Sequence, residues 1–315
     1  MPPLFSIIIP TYNRRESLRL VLHSLARQTI SKNIFEVIVV NNFPDIAIHD
    51  IIEEAVDAIN IVAISEPNNG AHNARNRASS MAKGEYLLFI DDDCEALPSF
   101  LEKYHKAVSC YNPIIGGGRI EVKWDNPPPD WIARFEHLMG HINYGSKTFW
   151  LRPGLTANGG NLLVRHDFFE KIGGMEPDQV GKIILGAGDT ALSLTANQHG
   201  HNVLWVGDAM VFHHQKKAVN AKINDLMRRE FNNGIMIAYE ALTRHHSASR
   251  KRMCVISWRL LATSIKQFYQ GLITCQKHAF IASVLTICRI VGAHWFYFCK
   301  GMTIKTINFE KSNNK

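Results

Sequence analysis

Short apolar runs that alternate with helical segments in the first 125 residues constrain the fold more than any other feature. The run Phe5–Pro10 contains three consecutive isoleucines, as is typical of a parallel strand buried on both faces. Similar runs follow at Phe35–Val40, Asn60–Ser65, Tyr86–Ile90 and Ile114–Val122. Segments with apolar residues at helical spacing lie between them. The alternation predicts an α/β fold, a three-layer α/β/α sandwich with a mostly parallel sheet.

Charge divides the chain into two parts. Residues 1–210 carry 18 Lys and Arg against 24 Asp and Glu, whereas residues 211–315 carry 17 against 4. The hydrophobic content of 46% is that of a folded globular protein and excludes an intrinsically disordered chain. After about residue 212 the sequence has the pattern of basic helices without further strands. We therefore expect a sheet domain over residues 1–215 and a basic, apolar helical extension over residues 216–315.

Polar residues interrupt the apolar runs at the carboxyl ends of the predicted strands. In an open parallel sheet these ends meet at one edge, and ligands bind beyond that edge. The sequence therefore predicts that four segments converge on one site. They are Pro10 to Asn13, Asn41 and Asn42, Glu66 to Gly70, and Asp91 to Asp93.

The run Asp91–Asp93 is the sharpest chemical signal in the chain. Three adjacent carboxylates repel one another, and a hard divalent cation relieves that repulsion. A solvated acidic loop is the alternative, but the position after a buried strand favours a metal site. We expect Mn²⁺ or Mg²⁺ here.

Other nucleotide-binding motifs are missing from the sequence. It contains no G-x-x-x-x-G-K-[ST] segment, which argues against kinase or ATPase chemistry, and no G-x-G-x-x-G after the first strand, which argues against a dinucleotide oxidoreductase. A nucleotidyltransferase also uses carboxylate-bound metal, but it should carry a basic, glycine-rich loop after the first strand. These exclusions leave a nucleoside diphosphate that is held by metal.

Six segments resemble motifs of the family 2 glycosyltransferases, in the family's order. The first strand with Pro10 to Arg14 resembles the family's opening strand, and Phe89 to Asp93 resembles its D-x-D metal motif. The remaining four resemblances lie in Asn69 to Asn76, in Asn158 to Met175, in Gly188 to Leu192 and in Val211 to His213.

The resemblance implies a GT-A fold and metal-dependent transfer of a sugar from a nucleotide donor, with inversion at the anomeric carbon. It implies that residues 1–122 bind the nucleotide and residues 123–215 the acceptor. Asp189 would be the catalytic base, and Asp93 and His213 would contact the metal. The nucleotide-sugar would lie against eight further residues: Pro10, Thr11, Asn13, Asn41, Asn69, Arg75, Asp91 and Asp92.

Two positions depart from the family pattern. Asn41-Asn42 stands where the family usually has an Asp that contacts the nucleoside, and an amide donates as well as accepts hydrogen bonds. Gly188 replaces the first acid of the usual E-D pair, so an acceptor contact is lost or supplied by another residue. These departures keep a second hypothesis open, a non-catalytic protein that binds sugar nucleotides or glycans.

The basic C-terminal part indicates where such an enzyme would work. Apolar residues at 255, 256, 258, 260, 261, 265 and 268 form a helical stripe beside Arg259 and Lys266. This pattern fits helices that pack on the sheet domain or lie on an anionic membrane. We expect a cytoplasmic protein, peripheral on the membrane, that uses a glycan or lipid-linked acceptor. Nucleic-acid binding is a third interpretation of the basic tail, but an anionic membrane surface explains it better.

Overall fold

The strands predicted from the apolar runs lie in one nine-stranded sheet of the computed structural model, which describes residues 2–176, 179–180, 183–184, 188–244 and 249–299. The strands are β1 (Phe5–Thr11), β2 (Phe35–Asn41), β3 (Ile61–Ser65), β4 (Tyr86–Phe89), β5 (Cys94–Ala96), β6 (Ile115–Trp124), β7 (Thr148–Trp150), β8 (Leu162–Arg165), β9 (Gln179–Val180), β10 (Ile183–Ile184) and β11 (Leu204–Gln215). The helices are α1 (Arg15–Ala26), α2 (His49–Val56), α3 (Ala71–Ser79), α4 (Phe100–Tyr111), α5 (His166–Lys171), α6 (Gly188–Gln198), α7 (Lys217–Asn220), α8 (Ile223–Arg244), α9 (Ser249–Thr274) and α10 (Lys277–Cys299).

The sheet has the order β3-β2-β1-β4-β8-β6-β11-β5, with β7 also paired to β11, and β9 and β10 form a separate two-stranded sheet. Strands β3, β2, β1 and β4 are parallel, as predicted. Beyond β4 the sheet is mixed, because β8 lies antiparallel to both β4 and β6. Because β8 is antiparallel to β4, its first residue, Leu162, lies beside Phe89 at the carboxyl end of β4, which is the edge of the sheet with the predicted site.

Alternate residues of the strands pack into two separate hydrophobic cores, one on each face of the sheet, which confirms the three-layer architecture. Ile7 and Ile9 of β1 point into a core with α1, α2 and α4, whereas Ile8 points into a core with α3, α5 and α6. A strand buried on both faces has no polar side, so its sequence is a continuous apolar run. This is the reason that the first strand is so easily recognised in the sequence.

The glycine run in β6 is explained by close contacts across the sheet. A Cβ atom at Gly118 would lie 2.0 Å from the carbonyl oxygen of Ala209, and one at Gly117 would lie 2.3 Å from the Cβ of Ala157. The register between β6 and β11 shifts at the same level, between Val206 and Val211. The glycines therefore serve the packing of the strand, as expected for glycine inside a strand.

The chain divides into two compact units. The first is drawn from residues 1–125, 139–182 and 187–215 and holds the sheet, and the second is drawn from 126–138, 183–186 and 216–315 and holds the C-terminal helices. The helical extension predicted over 216–315 is observed as α7 to α10, while its residues 245–248 and 300–315 lie outside the described part of the chain.

Candidate active site

The polar segments predicted to converge do lie at one edge of the sheet. Thr11 at the end of β1 pairs with Asn41 at the end of β2, and the two strands run parallel. Strand β4 lies on the other side of β1 and leads directly into Asp91, Asp92 and Asp93. The hydroxyl of Thr11 donates to Asp92 over 2.8 Å, which ties the first and fourth strand ends together.

Cations of the protein itself offset the charge of the three carboxylates. Arg75 donates to Asp91 over 2.5 Å, and Arg14 lies 3.1 Å from Asp92 and 2.8 Å from Asp93. His213 faces the second oxygen of Asp93 over 2.9 Å. The repulsion that suggested a metal in the sequence is therefore already reduced by the two guanidinium groups.

The neighbouring carboxylates differ in their affinity for protons. Burial raises the pKa of Asp92 to about 6, against the opposing effect of Arg14. Burial also acts to raise the pKa of Asp93, but the hydrogen bond and charge of His213 hold it below the usual value. Burial acts to lower the pKa of His213, but Asp93 raises it. In the absence of a metal, each of these two groups therefore favours the charged form of the other.

One sheet pairing and one hydrogen bond position His213. Strand β5 begins directly after Asp93 and runs antiparallel to β11, so that His213 pairs with Cys94. The Nδ1–H of His213 donates to the carbonyl of Met139 over 2.7 Å, which fixes the ring with Nε2 towards Asp93. The next residue, His214, contacts Glu95 instead, over 2.9 Å.

The loop before β8 links the acidic run to Asp189. Because β8 is antiparallel to β4, its preceding residues reach the same sheet edge, where the Gly159 carbonyl accepts a hydrogen bond from Arg75 over 3.3 Å. The Gly159 N–H donates to Asp189 over 2.7 Å. The Thr190 N–H donates to the other carboxylate oxygen over 2.7 Å, which orients Asp189 in the first turn of α6.

The side chain of His72 explains why residue 188 is a glycine. A Cβ atom at Gly188 would lie 2.4 Å from the ring of His72, which is buried and donates from Nδ1 to the carbonyl of Glu176 over 2.9 Å. An acid at position 188 would need the space that this imidazole fills. The ring therefore takes the place next to Asp189 that the first acid of an E-D pair would take.

We expect Gly188→Ala to lower the free energy of unfolding by about 1–3 kcal/mol, because the added methyl group overlaps the His72 ring. Alanine has the higher helix propensity, so this loss runs against the intrinsic preference of α6. In a His72→Ala background the substitution should cost less, since the space is open. Denaturant unfolding of the four variants measures the coupling, with exposed Thr190→Ala as the control. Equal costs in both backgrounds would contradict the pairing.

Other predicted donor-binding residues make different contacts. The amide of Asn41 donates to the carbonyl of Ile46 over 2.9 Å, and the Asn42 amide donates to the carbonyls of Glu66 and Asn68. Pro10 is buried within β1. Asn13 is exposed with a φ of 53°, and exposed Asn69 accepts a hydrogen bond through its carbonyl from Asn73. A donor-binding role for these residues stays a prediction.

Two site residues were missed by the sequence analysis. Arg14 lies in the opening motif and His72 in the segment Asn69 to Asn76, but no site role is predicted for either residue from the sequence. The position of Arg14 after the first strand places it at the same sheet edge as the acidic run, which is a weak indication of an ion pair with Asp92 or Asp93. The partner of His72 lies 116 positions away along the chain, and no local pattern reveals such a contact.

The donor set at Asp93 and His213 fits a divalent cation supported by substrate. Among the described residues, no group of three or more His, Cys, Asp and Glu side chains surrounds one point. A carboxylate and an imidazole are suitable ligands for Mn²⁺, and Mg²⁺ sites commonly use one or two carboxylates together with substrate phosphates. The protein would thus supply two ligands.

Comparison with known proteins gives a consistent result. The model of glycosyl transferase family 2 matches residues 6–173. The glycosyltransferase AglE of Haloferax volcanii is 26% identical over 235 residues, which is 74% of this chain and 72% of AglE. The poly(ribitol-phosphate) β-N-acetylglucosaminyltransferase TarS of Staphylococcus aureus is 34% identical over 113 residues. That match covers 33% of this chain and only 20% of TarS.

Solved structures share the fold at low sequence identity. The mannosyltransferase PcManGT of Pyrobaculum calidifontis, in complex with GDP-Man and Mn²⁺, superposes with a TM-score of 0.62 and 16% identity. The alignment covers 95% of this chain and 88% of PcManGT. A fragment of S. aureus TarS in complex with UDP-GlcNAc gives a TM-score of 0.54 at 13% identity, over 93% of this chain and 91% of the fragment. The predicted GT-A fold is confirmed.

Proposed function

The chain belongs to glycosyl transferase family 2, and on this premise we propose that it transfers a sugar from a nucleoside-diphosphate sugar to an acceptor hydroxyl, with inversion. One observation carries the proposal. A series of hydrogen bonds and ion pairs connects Asp189 through Gly159 and Arg75 to the acidic run, and the acidic run to His213. These residues lie along the edge of the sheet where ligands bind in this type of fold. This arrangement brings a candidate base and a candidate diphosphate site together.

The donor's nucleoside would lie at the ends of β1 and β4. Thr11, Asn13 and Asp91 are the proposed contacts, with Asp91 on the ribose. Arg75 is buried and its Nε has no hydrogen-bond partner, whereas Asp91 keeps a third of its side chain exposed. We therefore assign Arg75 the task of holding Asp91 in position for the donor, in addition to any direct contact.

Asp93 and His213 would hold the divalent cation on the donor diphosphate. The Nε2 atom of His213 lies 2.9 Å from a carboxylate oxygen of Asp93, and the Met139 carbonyl fixes the orientation of the imidazole. When bound, the ion supplies Lewis-acid stabilisation of the charge that grows on the leaving nucleoside diphosphate. Arg14, which contacts Asp92 and Asp93, adds a fixed positive charge to the same edge.

Asp189 is the proposed general base. Its carboxylate would take the proton of the acceptor hydroxyl as that oxygen bonds to the anomeric carbon, while the bond from this carbon to the diphosphate oxygen breaks. One displacement inverts the configuration and requires one base. The backbone N–H groups of Gly159 and Thr190 orient Asp189 for this step, and His72 fills the space beside it.

The acceptor is proposed to be a glycan or lipid-linked intermediate of a cell-surface polysaccharide. The name of TarS states a poly(ribitol-phosphate) acceptor. Another relative, TuaG of Bacillus subtilis, is described as a putative teichuronic acid biosynthesis glycosyltransferase. We place the reaction on the cytoplasmic face of the membrane, with residues 1–122 binding the nucleotide and 123–215 the acceptor.

Titration of sugar nucleotides in the presence and absence of Mn²⁺ tests the donor site. The candidates include UDP-GlcNAc and GDP-mannose, which are bound in the two structurally similar enzymes. We expect one donor to bind with an affinity that Mn²⁺ raises. Binding to no sugar nucleotide would contradict the proposal. Binding without turnover would favour the second hypothesis, a non-catalytic binding protein, for which Gly188 and Asn41 are the motivating departures.

A further inference from the structure

Helices α9 and α10 bury several small and polar residues, together with Met253, Leu285 and Phe296, and leave a second set of large apolar residues exposed. On α9 the buried positions include Ser264 and Gly271. Ser264 lies 3.0 Å from Ser283 of α10 (Oγ to Oγ), and Gly271 faces the ring of Phe280. A helix of a water-soluble unit normally buries its apolar stripe, so the large apolar residues that this pair leaves exposed require a partner.

The outward residues form continuous helical stripes. On α9 they follow the spacing of one helix face, and Trp258 is 72% and Ile273 82% exposed. We call the two stripes together the outer apolar face. On α9 it consists of Val255, Trp258, Leu261, Ile265, Phe268, Tyr269, Leu272 and Ile273, and on α10 of Val284, Ile287, Val291, Trp295 and Phe298. Exposed apolar patches of this extent mark interaction surfaces.

Charge identifies the partner of this face. Residues 249–299 contain seven Lys and Arg residues and no Asp or Glu. Arg259 and Lys266 are exposed and follow directly after Trp258 and Ile265. Arg252 and Arg289 pair with acids of α8, and the other five basic residues have no acidic residue beside them on α9 or α10. Large apolar side chains with such basic neighbours complement a surface that is apolar inside and negatively charged outside, which is an anionic lipid leaflet. Nucleic acid would satisfy the charges but would leave the apolar side chains in water.

Among the helices that the structure describes, α10 is the one whose length and composition would allow it to cross a membrane. Its contacts with α8 argue against crossing. Arg289 of α10 forms a bidentate ion pair with Glu230 of α8, with distances of 2.5 and 2.6 Å. Glu230 is only 2% exposed. The helix backbones also touch at Gly234 and Gly292. Because α8 carries several charged residues, it cannot enter hydrocarbon, and α10 must lie alongside it.

We propose that the outer apolar face of α9 and α10 binds the surface of an anionic membrane, with both helices lying in the interface instead of spanning the bilayer. This inference rests on the proposed function and deepens it, because the face would bring the enzyme to a lipid-linked acceptor. Trp258 and Ile273 would enter the acyl boundary, while Arg259 and Lys266 would contact lipid phosphates.

Vesicle flotation of the purified full chain, without substrate, tests the proposal. Vesicles of phosphatidylcholine alone are compared with vesicles that also contain phosphatidylglycerol, at low salt and at about 1 M salt, where the Debye length falls to about 3 Å. We expect binding to the anionic vesicles at low salt and a large loss at high salt. Absence of binding to anionic vesicles, or equally strong binding to DNA, would overturn the proposal.

Variants separate the apolar and the charge contributions. Trp258→Glu should weaken vesicle binding at least about tenfold, and Arg259→Gln with Lys266→Gln about 25-fold, at about fivefold for each basic residue. The control is Val56→Glu on α2, at an exposed apolar residue outside the face. Wild-type binding by Trp258→Glu, or a dimer that this substitution dissociates, would assign the face to another occupant and overturn the proposal.

Activity is measured separately from membrane binding. Sugar transfer to a water-soluble acceptor, without vesicles, should be the same in Trp258→Glu and wild type, since the face lies in the C-terminal unit. Transfer without vesicle binding by the wild type would refute the membrane proposal alone. Vesicle binding without transfer to any acceptor would refute the proposed function alone.

Discussion

Replacing Asp189 by Asn is expected to lower the rate of sugar transfer by about 10²–10⁴-fold, the usual contribution of a general base. An amide cannot take the proton of the acceptor hydroxyl, whereas donor binding does not require that proton transfer. Donor affinity should therefore stay near the wild-type value. Transfer is measured as glycosylated product under single-turnover conditions, and donor affinity is measured by titration with Mn²⁺ present.

The substitution also has a structural cost that must be measured separately. Both carboxylate oxygens of Asp189 accept a backbone N–H, from Gly159 and from Thr190. Asparagine can accept only one of these and directs its NH₂ group at the other, so we expect a loss of about 1–3 kcal/mol in unfolding free energy. Asp208→Asn, at an exposed position of β11, is the matched control. Normal transfer by Asp189→Asn would show that Asp189 is not the base.

Asp93→Asn should remove the effect of Mn²⁺ on donor binding and lower turnover by about 10²–10³-fold, as expected when one preorganised electrostatic contact to the transition state is lost. The substitution keeps the size of the side chain but removes the negative charge that a divalent cation requires. It also leaves Arg14 and His213 without their shared partner. Unfolding curves and donor titrations with and without Mn²⁺ are needed together.

Adjacent histidines provide the control for the metal site. His213→Gln should weaken the Mn²⁺ effect, because His213 faces Asp93. His214→Gln should leave the Mn²⁺ effect unchanged, because His214 contacts Glu95. Retention of a full Mn²⁺ effect by Asp93→Asn would refute the assignment of Asp93 as a metal ligand.

Local patterns in the sequence predict the parallel half of the fold well. Strand β1 is buried on both faces, so every residue from Phe5 to Thr11 is inside and the apolar run is unbroken. The sheet rule then places Thr11 and the acidic run at one edge without further information. The direction of β8 has no such local signal. It depends on where the long segment after Trp124 returns to the sheet.

Contacts between distant residues account for what the sequence does not predict at the site. The sequence suggests a cation for the acidic run, but Arg14, Arg75 and His213 become its partners only after folding. In the sequence, Gly188 indicates only that the first acid of the usual E-D pair is missing. In the structure, the ring of His72 fills the space beside Gly188. Each of these pairings joins residues from different segments of the chain, and the periodicity within one segment carries no information about such contacts.

The orientation of helix α9 is a further feature that local sequence patterns do not predict. The apolar stripe beside Arg259 and Lys266 is visible in the sequence, but periodicity alone does not tell which side of a helix faces inward. The structure shows that Ser264 and Gly271 are buried and that Trp258 and Ile265 are exposed. The contacts of Ser264 with Ser283 and of Gly271 with Phe280, which join α9 to α10, place these small residues on the inward side of α9.

The central claim, that this chain is a nucleotide-sugar-dependent glycosyltransferase, is tested most directly by turnover. Purified wild-type protein and Asp189→Asn are incubated with individual sugar nucleotides and Mn²⁺, and release of nucleoside diphosphate is followed with and without glycan or lipid-linked acceptors. We predict that the wild type releases nucleoside diphosphate from one donor, faster with acceptor, and that Asp189→Asn loses the acceptor-dependent part. Release from no donor by folded wild-type protein would contradict the claim.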